Sequence, residues 1–215
     1  MGLFDCVAVQ ELTPAAAIFT LPGAMVLPIV KYGHPVLRKR GERVKAITPE
    51  IQQLIADMLE TMQDAHGIGL AAQQIGRAIQ VTVIDVRAVT DRLSTLERDG
   101  APCDVNAFMP LVLINPQIRP LSPPVIGPEG CLSFPEIFAD INRPEQVEVT
   151  AMNQAGEKFT FRCGGLLSRA VQHETDHLNG VLFIDRMDAA KKAELRAELD
   201  ELHAETKREL AKTKK

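Results

Sequence analysis

A run of five residues carries the clearest chemical signal in this sequence: His173, Glu174, Thr175, Asp176 and His177 form an HExxH segment. On a helix, residues four apart lie on one face, so both imidazoles can reach one metal ion. The glutamate beside the first histidine can then take a proton from a water at that ion. A catalytic site usually needs a third protein ligand and one open position. The third ligand therefore decides the class of enzyme.

Two further segments stand apart from the background. Residues 67–76 read GIGLAAQQIG, and their glycines let a backbone approach a ligand closely. Residues 129–133 read EGCLS and follow a proline-rich approach. Each is weak alone, because glycine-rich runs often form tight turns and a cysteine is often a buried apolar residue. Any of the four cysteines could be a metal ligand: Cys6, Cys103, Cys131 and Cys163.

In order and content, the three segments resemble those of the peptide deformylase family, in its bacterial type. That family is marked by GxGxAAxQxG, EGCxS and QHExDHxxG stretches, which residues 67–76, 129–133 and 172–180 reproduce unbroken. The resemblance spans roughly residues 28–185. It implies a metal-dependent hydrolase that removes the formyl group from the N-terminal formyl-methionine of newly made polypeptides and releases formate.

The resemblance also implies the metal ligands. Cys131, His173 and His177 are expected to bind one divalent ion, with water in the fourth position. A thiolate ligand suits Fe(II), Co(II), Ni(II) or Zn(II) better than magnesium or calcium. The family implies Fe(II) as the physiological metal and zinc as a common, poorer substitute. The residue types alone do not choose among these ions.

The remaining roles come from the same resemblance. Glu174 is expected to act as the general acid and base. The side-chain amide of Gln74 and the backbone N–H of Leu132 are expected to stabilise the negative charge that builds on the formyl oxygen. Gly69 would offer its backbone to the substrate.

The methionine side chain needs an apolar slot. We expect Ile68, Leu166 and the aliphatic stem of Arg169 to line it, with the small Ala170 beside His173. Residues of these types more often form ordinary core or helix-face packing than a pocket.

The chain departs from its relatives in two places. Many relatives carry an arginine near Phe138 that helps to position the peptide, and Arg143 is the candidate to take over that task here. Residues 88–110 look like a surface loop that is longer than usual.

Two other classes of function remain open from the residues. One is a zinc endopeptidase that uses the same HExxH helix and takes its third ligand downstream, where Asp185, Asp188 and Glu194 offer carboxylates. The other is a non-catalytic, metal-stabilised module that binds nascent chains. Glu174 speaks against the second, since a purely structural site gains nothing from a base beside the metal.

The elements that must position these residues follow from local patterns. A helix is predicted from Pro49, capped by Thr48 and stopped by Gly67, and a second helix over 165–179 carries the HExxH segment. Strands are predicted at 81–86, 111–114, 146–152 and 157–162. Without regular βαβ alternation, we expect an α+β fold of mixed, mainly antiparallel sheets packed around the central HExxH helix, with a C-terminal helix.

We divide the chain into three parts. Residues 1–24 form an N-terminal extension, expected to be disordered; it contains no Lys or Arg, which argues against a secretory or transit signal, and Met25 is an alternative start. Residues 25–187 form the catalytic domain, and 188–215 a charged helix. Residues 207–215 hold five basic residues and one acidic residue. They are either a solvated helix end or a contact for ribosomal RNA.

Composition narrows the partners. The chain has 215 residues, of which 46% are hydrophobic and 24% charged, values that suit one globular domain. A net charge of −4 argues against a DNA-binding protein, and no stretch approaches the roughly 20 apolar residues of a membrane span. We therefore expect a cytoplasmic enzyme with free thiols.

Overall fold

The structure is a computed structural model that describes residues 23–213. The N-terminal extension predicted over 1–24 lies almost entirely outside this range. The described strands are β1 (Gly69–Ala71), β2 (Val81–Ile84), β3 (Ser94–Arg98), β4 (Ala101–Cys103), β5 (Leu111–Pro120), β6 (Pro124–Cys131), β7 (Phe134–Pro144), β8 (Gln146–Met152) and β9 (Lys158–Gly164). The described α-helices are α1 (Pro49–Asp64), α2 (Gly165–Leu178), α3 (Ala189–Glu194) and α4 (Arg196–Thr213).

The described strands form two sheets. Seven pair in the order β1-β2-β5-β8-β9-β3-β4, and β6 pairs with β7 in a separate hairpin. Every ladder between these strands is antiparallel. Short antiparallel strands beside a few helices confirm the predicted α+β class.

Helix α1 begins and ends where its sequence predicts. Thr48 caps it by accepting the N–H of Ile51 at 3.4 Å, and Pro49 occupies the first turn, where its missing N–H costs nothing. The helix stops at Asp64, just before Gly67. Its apolar stripe packs against β1, β2 and β5 and buries Leu54, Ile55, Met58, Leu59 and Met62.

Helix α2, which carries the HExxH segment, packs against strands of both sheets. Its apolar residues Leu166, Leu167 and Val171 join the core beneath the large sheet. The helix ends at Leu178, and Gly180 adopts a left-handed conformation with φ of 73°. Close packing of this kind makes α2 a rigid base for its histidines.

The structure corrects the prediction of a surface loop over 88–110. This segment contains the hairpin β3–β4 and a short 3-10 helix, Val105–Phe108. Strand β3 extends the large sheet by pairing with β9, and it buries Leu96. One buried apolar residue in five is too weak a pattern to predict a strand.

Two further differences concern regular structure. No element was predicted over residues 134–144, which form the longest strand, β7. The C-terminal helix is not continuous, because α3 and α4 are separated at Leu195. Leu195 and Leu199 are buried beside Leu37 and Phe183, which fastens this part of the chain to the core. Among residues 23–213, every helix is too short or too polar to span a lipid bilayer.

Candidate metal centre and active site

Three ligand atoms converge between β6 and α2. The Cys131 Sγ and one ring nitrogen from each of His173 and His177 all lie within 4.8 Å of one another. Cys131 stands at the end of β6, where the register of the β6–β7 hairpin shifts, and its sulfur is 3.2 Å from the His177 Nε2. The two imidazole rings are 5.1 Å apart on successive turns of α2. One thiol and two imidazoles at this spacing form a candidate metal centre.

The surroundings of these ligands fit a cation. Burial lowers the pKa of His173, but its hydrogen bonds with Cys131 and Glu129 outweigh burial and raise that pKa well above its usual value. The local field thus favours positive charge at the cluster. Burial and the charge of His173 hold the pKa of His177 well below its usual value, so His177 is a neutral imidazole that is free to ligate. The donor set therefore suits a borderline-soft divalent ion.

His173 is held in place by Glu129. The His173 Nδ1 lies 3.0 Å from the Glu129 Oε2. Arg143 donates to the same carboxylate from Nε at 2.5 Å and Nη2 at 2.9 Å, and Arg169 donates from Nη1 at 2.9 Å. Burial raises the pKa of Glu129, but His173 and Arg143 outweigh burial and lower the pKa to about 2. An ionised Glu129 fixes the imidazole orientation and directs its other nitrogen toward the cluster.

The position of Arg143 contradicts its predicted role in peptide binding. Arg143 is 2% exposed and does not border the cavity. Besides Glu129, it donates to the Asp176 Oδ2 at 2.7 Å, and Asp176 also accepts from Arg186 at 2.5 and 2.6 Å. Its guanidinium is therefore committed to a buried ion-pair network under α2 and not to the substrate.

Glu174 faces the opposite way from this network. Its side chain rests on Gly69: a Cβ at that glycine would lie 2.9 Å from the Glu174 Cδ and closer still to Oε1. Its Oε2 is buried and, among the described residues, has no hydrogen-bond partner. Burial raises the pKa of Glu174 to about 7. A cation beside it would lower that pKa again. Glu174 is thus a carboxylate poised to exchange a proton.

Gln74 has a fixed orientation. Its Oε1 accepts the N–H of Ala71 at 2.8 Å, so its Nε2 points toward the Cys131 Sγ, 3.6 Å away. Leu132, in the turn after Cys131, borders the same space, and its carbonyl accepts from the Lys31 Nζ at 3.0 Å. Both residues predicted to stabilise the oxyanion therefore lie beside the candidate metal centre.

An open cavity of about 570 Å³ leads to the cluster. It is lined by every residue predicted for the methionine slot and the substrate backbone, namely Ile68, Gly69, Leu166, Arg169 and Ala170. The Arg169 guanidinium is bonded to the Ile141 carbonyl at 2.8 Å and the Val125 carbonyl at 3.0 Å, which leaves its aliphatic stem for the wall. At the rim, Phe138 is 64% exposed.

Sequence reasoning missed Glu129 as a functional residue, although it belongs to the EGCLS segment. A signal was present, because a metal-bound histidine usually donates its second N–H to a carboxylate or carbonyl, and Glu129 stands two residues from Cys131. Arg92, another residue that lines the cavity, was also missed. Its segment carried no motif that could have pointed to it.

The fold and this site define a metallohydrolase of the HExxH class, with its third ligand on a strand upstream of the helix. Asp185 does not join the cluster, since its carboxylate accepts from Arg38 and from the N–H of Leu182. A downstream ligand of the endopeptidase type is therefore not favoured.

Comparisons with known proteins extend this assignment. The sequence model of the polypeptide deformylase family matches residues 26–193. A peptide deformylase of Opitutus terrae is 46% identical over 180 residues, which cover 83% of this chain and 93% of that protein. The crystal structure of the Synechococcus elongatus peptide deformylase in complex with actinonin is 42% identical, with a TM-score of 0.66 over 83% of this chain and 86% of that one. The crystal structure of the Thermus thermophilus peptide deformylase is 34% identical, with a TM-score of 0.71 over 84% of this chain and 99% of that one.

The chain belongs to the polypeptide deformylase family. It is an enzyme that deformylates newly made polypeptides. The endopeptidase and the non-catalytic binding module are not favoured.

Proposed function

We propose that this chain hydrolyses the N-terminal formamide of formyl-methionyl peptides at a metal held by Cys131, His173 and His177, with Glu174 moving the proton. The observation that carries this proposal is the convergence of the three ligand atoms within 4.8 Å, beside a glutamate whose Oε2 has no partner in the described structure. Water and formamide give formate and a free amine, so one proton must travel from the water to the departing nitrogen.

A metal held by Cys131, His173 and His177 would lower the pKa of a water from about 15.7 toward about 7. The role of Glu174 is to accept a proton from the attacking water and to deliver it to the departing amine. Gly69 leaves room for the carboxylate beside the cluster, because any side chain there would overlap it. The hydrophobic packing around α2 keeps the carboxylate out of bulk water, which strengthens its interactions with nearby charges.

Gln74 and Leu132 supply the donors for the oxyanion. The Gln74 amide is already oriented by Ala71, so it needs no rearrangement when charge develops on the formyl oxygen. The backbone N–H of Leu132 adds a second donor from the turn after Cys131. Removing one such donor typically costs about 2.7–4 kcal/mol of barrier.

The substrate backbone runs along Gly69 in this proposal. Strand β1 is the first strand in the order of the seven-stranded sheet, so its outer edge can pair with an extended peptide. The methionine side chain enters the slot lined by Ile68, Leu166 and the Arg169 stem, where the small Ala170 leaves space. In this proposal the formyl carbon then lies next to the three ligand residues.

Fe(II) is the proposed physiological metal, and Zn(II), Ni(II) and Co(II) are substitutes. The thiolate ligand supports an ion of this group. Anaerobic purification followed by metal analysis tests this identity: iron at one equivalent, with activity lost on exposure to air, is expected. Zinc alone in a fully active anaerobic preparation would overturn it.

Formate release from formyl-Met-Ala, with and without chelator, tests the reaction. We expect the wild type to release formate and the chelator to stop it. Cys131→Ser should lose both metal and formate release, because the softer thiolate is replaced by a weak hydroxyl ligand. Cys103→Ser, at a partly buried cysteine outside the cluster, is the matched control. Internal peptide cleavage that survives Cys131→Ser would indicate an endopeptidase instead.

The cytoplasm and the ribosome are the proposed cellular setting. The substrate is a newly made chain, so the enzyme must meet it where it is synthesised. Helix α4 carries the exposed basic residues Lys207, Arg208 and Lys212, and ribosomal RNA is a polyanion. Deleting residues 207–215 should weaken cosedimentation with ribosomes while formyl-Met-Ala turnover continues. Unchanged ribosome affinity would remove this part of the proposal.

A further inference from the structure

Arg92 is a cation at the cavity that nothing in the described structure neutralises. Its side chain lines the cavity together with Gly69, Leu166 and Glu174. Within residues 23–213, its guanidinium makes no hydrogen bond, and no carboxylate lies within 4.0 Å of it. The neighbouring Asp91 does not pair with it either. A guanidinium has five donors, so all of them are free for a ligand.

The loop that carries Arg92 is fastened to the helix of the HExxH segment. The Leu93 carbonyl accepts the N–H of Leu166 at 2.9 Å, and the Ser94 Oγ accepts the N–H of Leu167 at 3.2 Å. These are N–H groups of the first turn of α2, which have no partner inside the helix. The loop therefore caps α2, and Arg92 is anchored next to the start of the helix that lines the methionine slot.

Gly165 makes this close approach possible. Its φ is 65°, and a Cβ there would lie 3.0 Å from the Leu93 carbonyl carbon and would overlap the carbonyl oxygen. Only glycine fits both the backbone conformation and the contact. The loop is thus held by the hydrogen bonds that Leu93 and Ser94 accept, and the glycine at position 165 lets Leu93 come close enough.

The other cations at the cavity are engaged. The Arg169 guanidinium is bonded to Glu129 and to two carbonyls. The Lys31 Nζ donates to the Leu132 carbonyl at 3.0 Å. Glu136 also borders the cavity and repels a second carboxylate on its own side. The Lys31 ammonium keeps its charge, but its bond to the Leu132 carbonyl holds it in place, so Arg92 is the cation of the cavity whose donors have no partner among the described residues.

We propose that Arg92 binds a carboxylate on the residues that follow the formyl-methionine, and so makes this enzyme prefer nascent chains with an early Asp or Glu. This inference rests on the proposed function and adds a specificity-determining residue to it. Arg92 is only partly buried and borders an open cavity, so water screens its interaction with a carboxylate. The effect on substrate preference is therefore modest.

Kinetics of the metal-loaded enzyme test the proposal with isosteric substrate pairs. Formyl-Met-Ala-Glu-amide is compared with formyl-Met-Ala-Gln-amide, and formyl-Met-Glu-Ala-amide with formyl-Met-Gln-Ala-amide. We expect kcat/KM to be about fourfold higher for the glutamate member of at least one pair at low salt. Adding 0.5 M KCl cuts the electrostatic screening length to roughly half its physiological value, so it should shrink that ratio.

Three variants locate the effect. Arg92→Gln should bring the glutamate-to-glutamine ratio to about one. Lys31→Gln should keep the ratio, and so should Arg87→Gln, whose guanidinium pairs with Asp85 outside the cavity. A ratio near one in the wild type, a ratio that survives Arg92→Gln, or one that only Lys31→Gln removes would overturn the proposal.

Two controls separate this inference from the function on which it rests. The same peptides with a free C-terminus show whether Arg92 responds to an α-carboxylate, and a response confined to that group would overturn a preference among nascent chains. Formate released from every peptide at equal rates leaves the deformylase function intact and removes only the role of Arg92. No formate from any peptide would instead reject the proposed function.

Discussion

The two sides of helix α2 treat their polar groups in opposite ways. On the network side, the Glu129 carboxylate receives two bonds from Arg143, one from Arg169 and one from His173. On the cavity side, the buried Oε2 of Glu174 has no partner among the described residues. An unpaired buried polar atom is costly, so it calls for a physical reason, and at the wall of the cavity that reason is a ligand that will use it.

The residues on one side of α2 hold the site together, and the residues on the other side are available for the reaction. The saturated network fixes His173 and ties β6, β7 and α2 together through charges that cannot be removed singly. The unsaturated side leaves the Glu174 Oε2 without a partner among the described residues, and beside it the Gln74 Nε2 contacts only the Cys131 sulfur, at 3.6 Å. Substitutions on the two sides should therefore have different signatures, either a loss of stability or a loss of turnover.

The largest effect is expected for Glu174→Gln. The amide keeps the shape of the side chain but cannot take a proton, so kcat should fall about a thousandfold, within the range typical of general acid–base groups. Formate release measures the loss, and metal analysis should show an unchanged metal content. Glu60→Gln, at an exposed residue of α1, is the matched control. Activity above a tenth of wild type would show that Glu174 is not the group that moves the proton.

Arg143→Met should instead unfold the protein more easily. It leaves Glu129 and Asp176 as buried charges that have lost a partner, and breaking a buried ion pair typically costs about 3–5 kcal/mol. Urea unfolding of the metal-free protein measures the change. Arg162→Met, which breaks a pair at a side chain that is 53% exposed, is the control and should cost less than about 1 kcal/mol. Equal losses in the two variants would mean that the network is not what holds the site.

The smallest effect is expected for Arg186→Gln. Arg186 is half-exposed, and Asp176 keeps its bond to Arg143 when Arg186 is removed. The free energy of unfolding should fall by no more than about 1 kcal/mol, and formate release should remain at the wild-type rate. The same urea titration decides it. A larger loss in the free energy of unfolding than that of Arg143→Met would show that the exposed Arg186, and not the buried Arg143, contributes most to the network.

Much of the site could be predicted because its signals are local. The HExxH spacing fixes which helix face carries both histidines, and the cap at Thr48 fixes the start of α1. The pairing of Cys131 with these histidines is not local, and only the resemblance to a family supplied it. The residue types alone left the third ligand open.

The error at Arg143 has an identifiable cause. The position was judged by its charge, although it continues an alternating pattern that buries Ile137, Ala139 and Ile141 in β7. A residue two positions after Ile141 on a strand faces the same side, which is the core. Its partners come from β6 and α2, and that tertiary pairing is not visible in the sequence. Strand β3 was missed for a related reason, since its pairing with β9 outweighs its weak pattern.

The contact between Gly69 and Glu174 predicts which amino acids selection can accept at position 69. The backbone there is not in a left-handed conformation, so the contact with Glu174, and not the backbone, is what requires glycine. A library randomised at this codon and selected for expression alone should return other small residues besides glycine. The same library selected for growth that depends on deformylation should return glycine, because the missing methyl group is the space that the working carboxylate occupies.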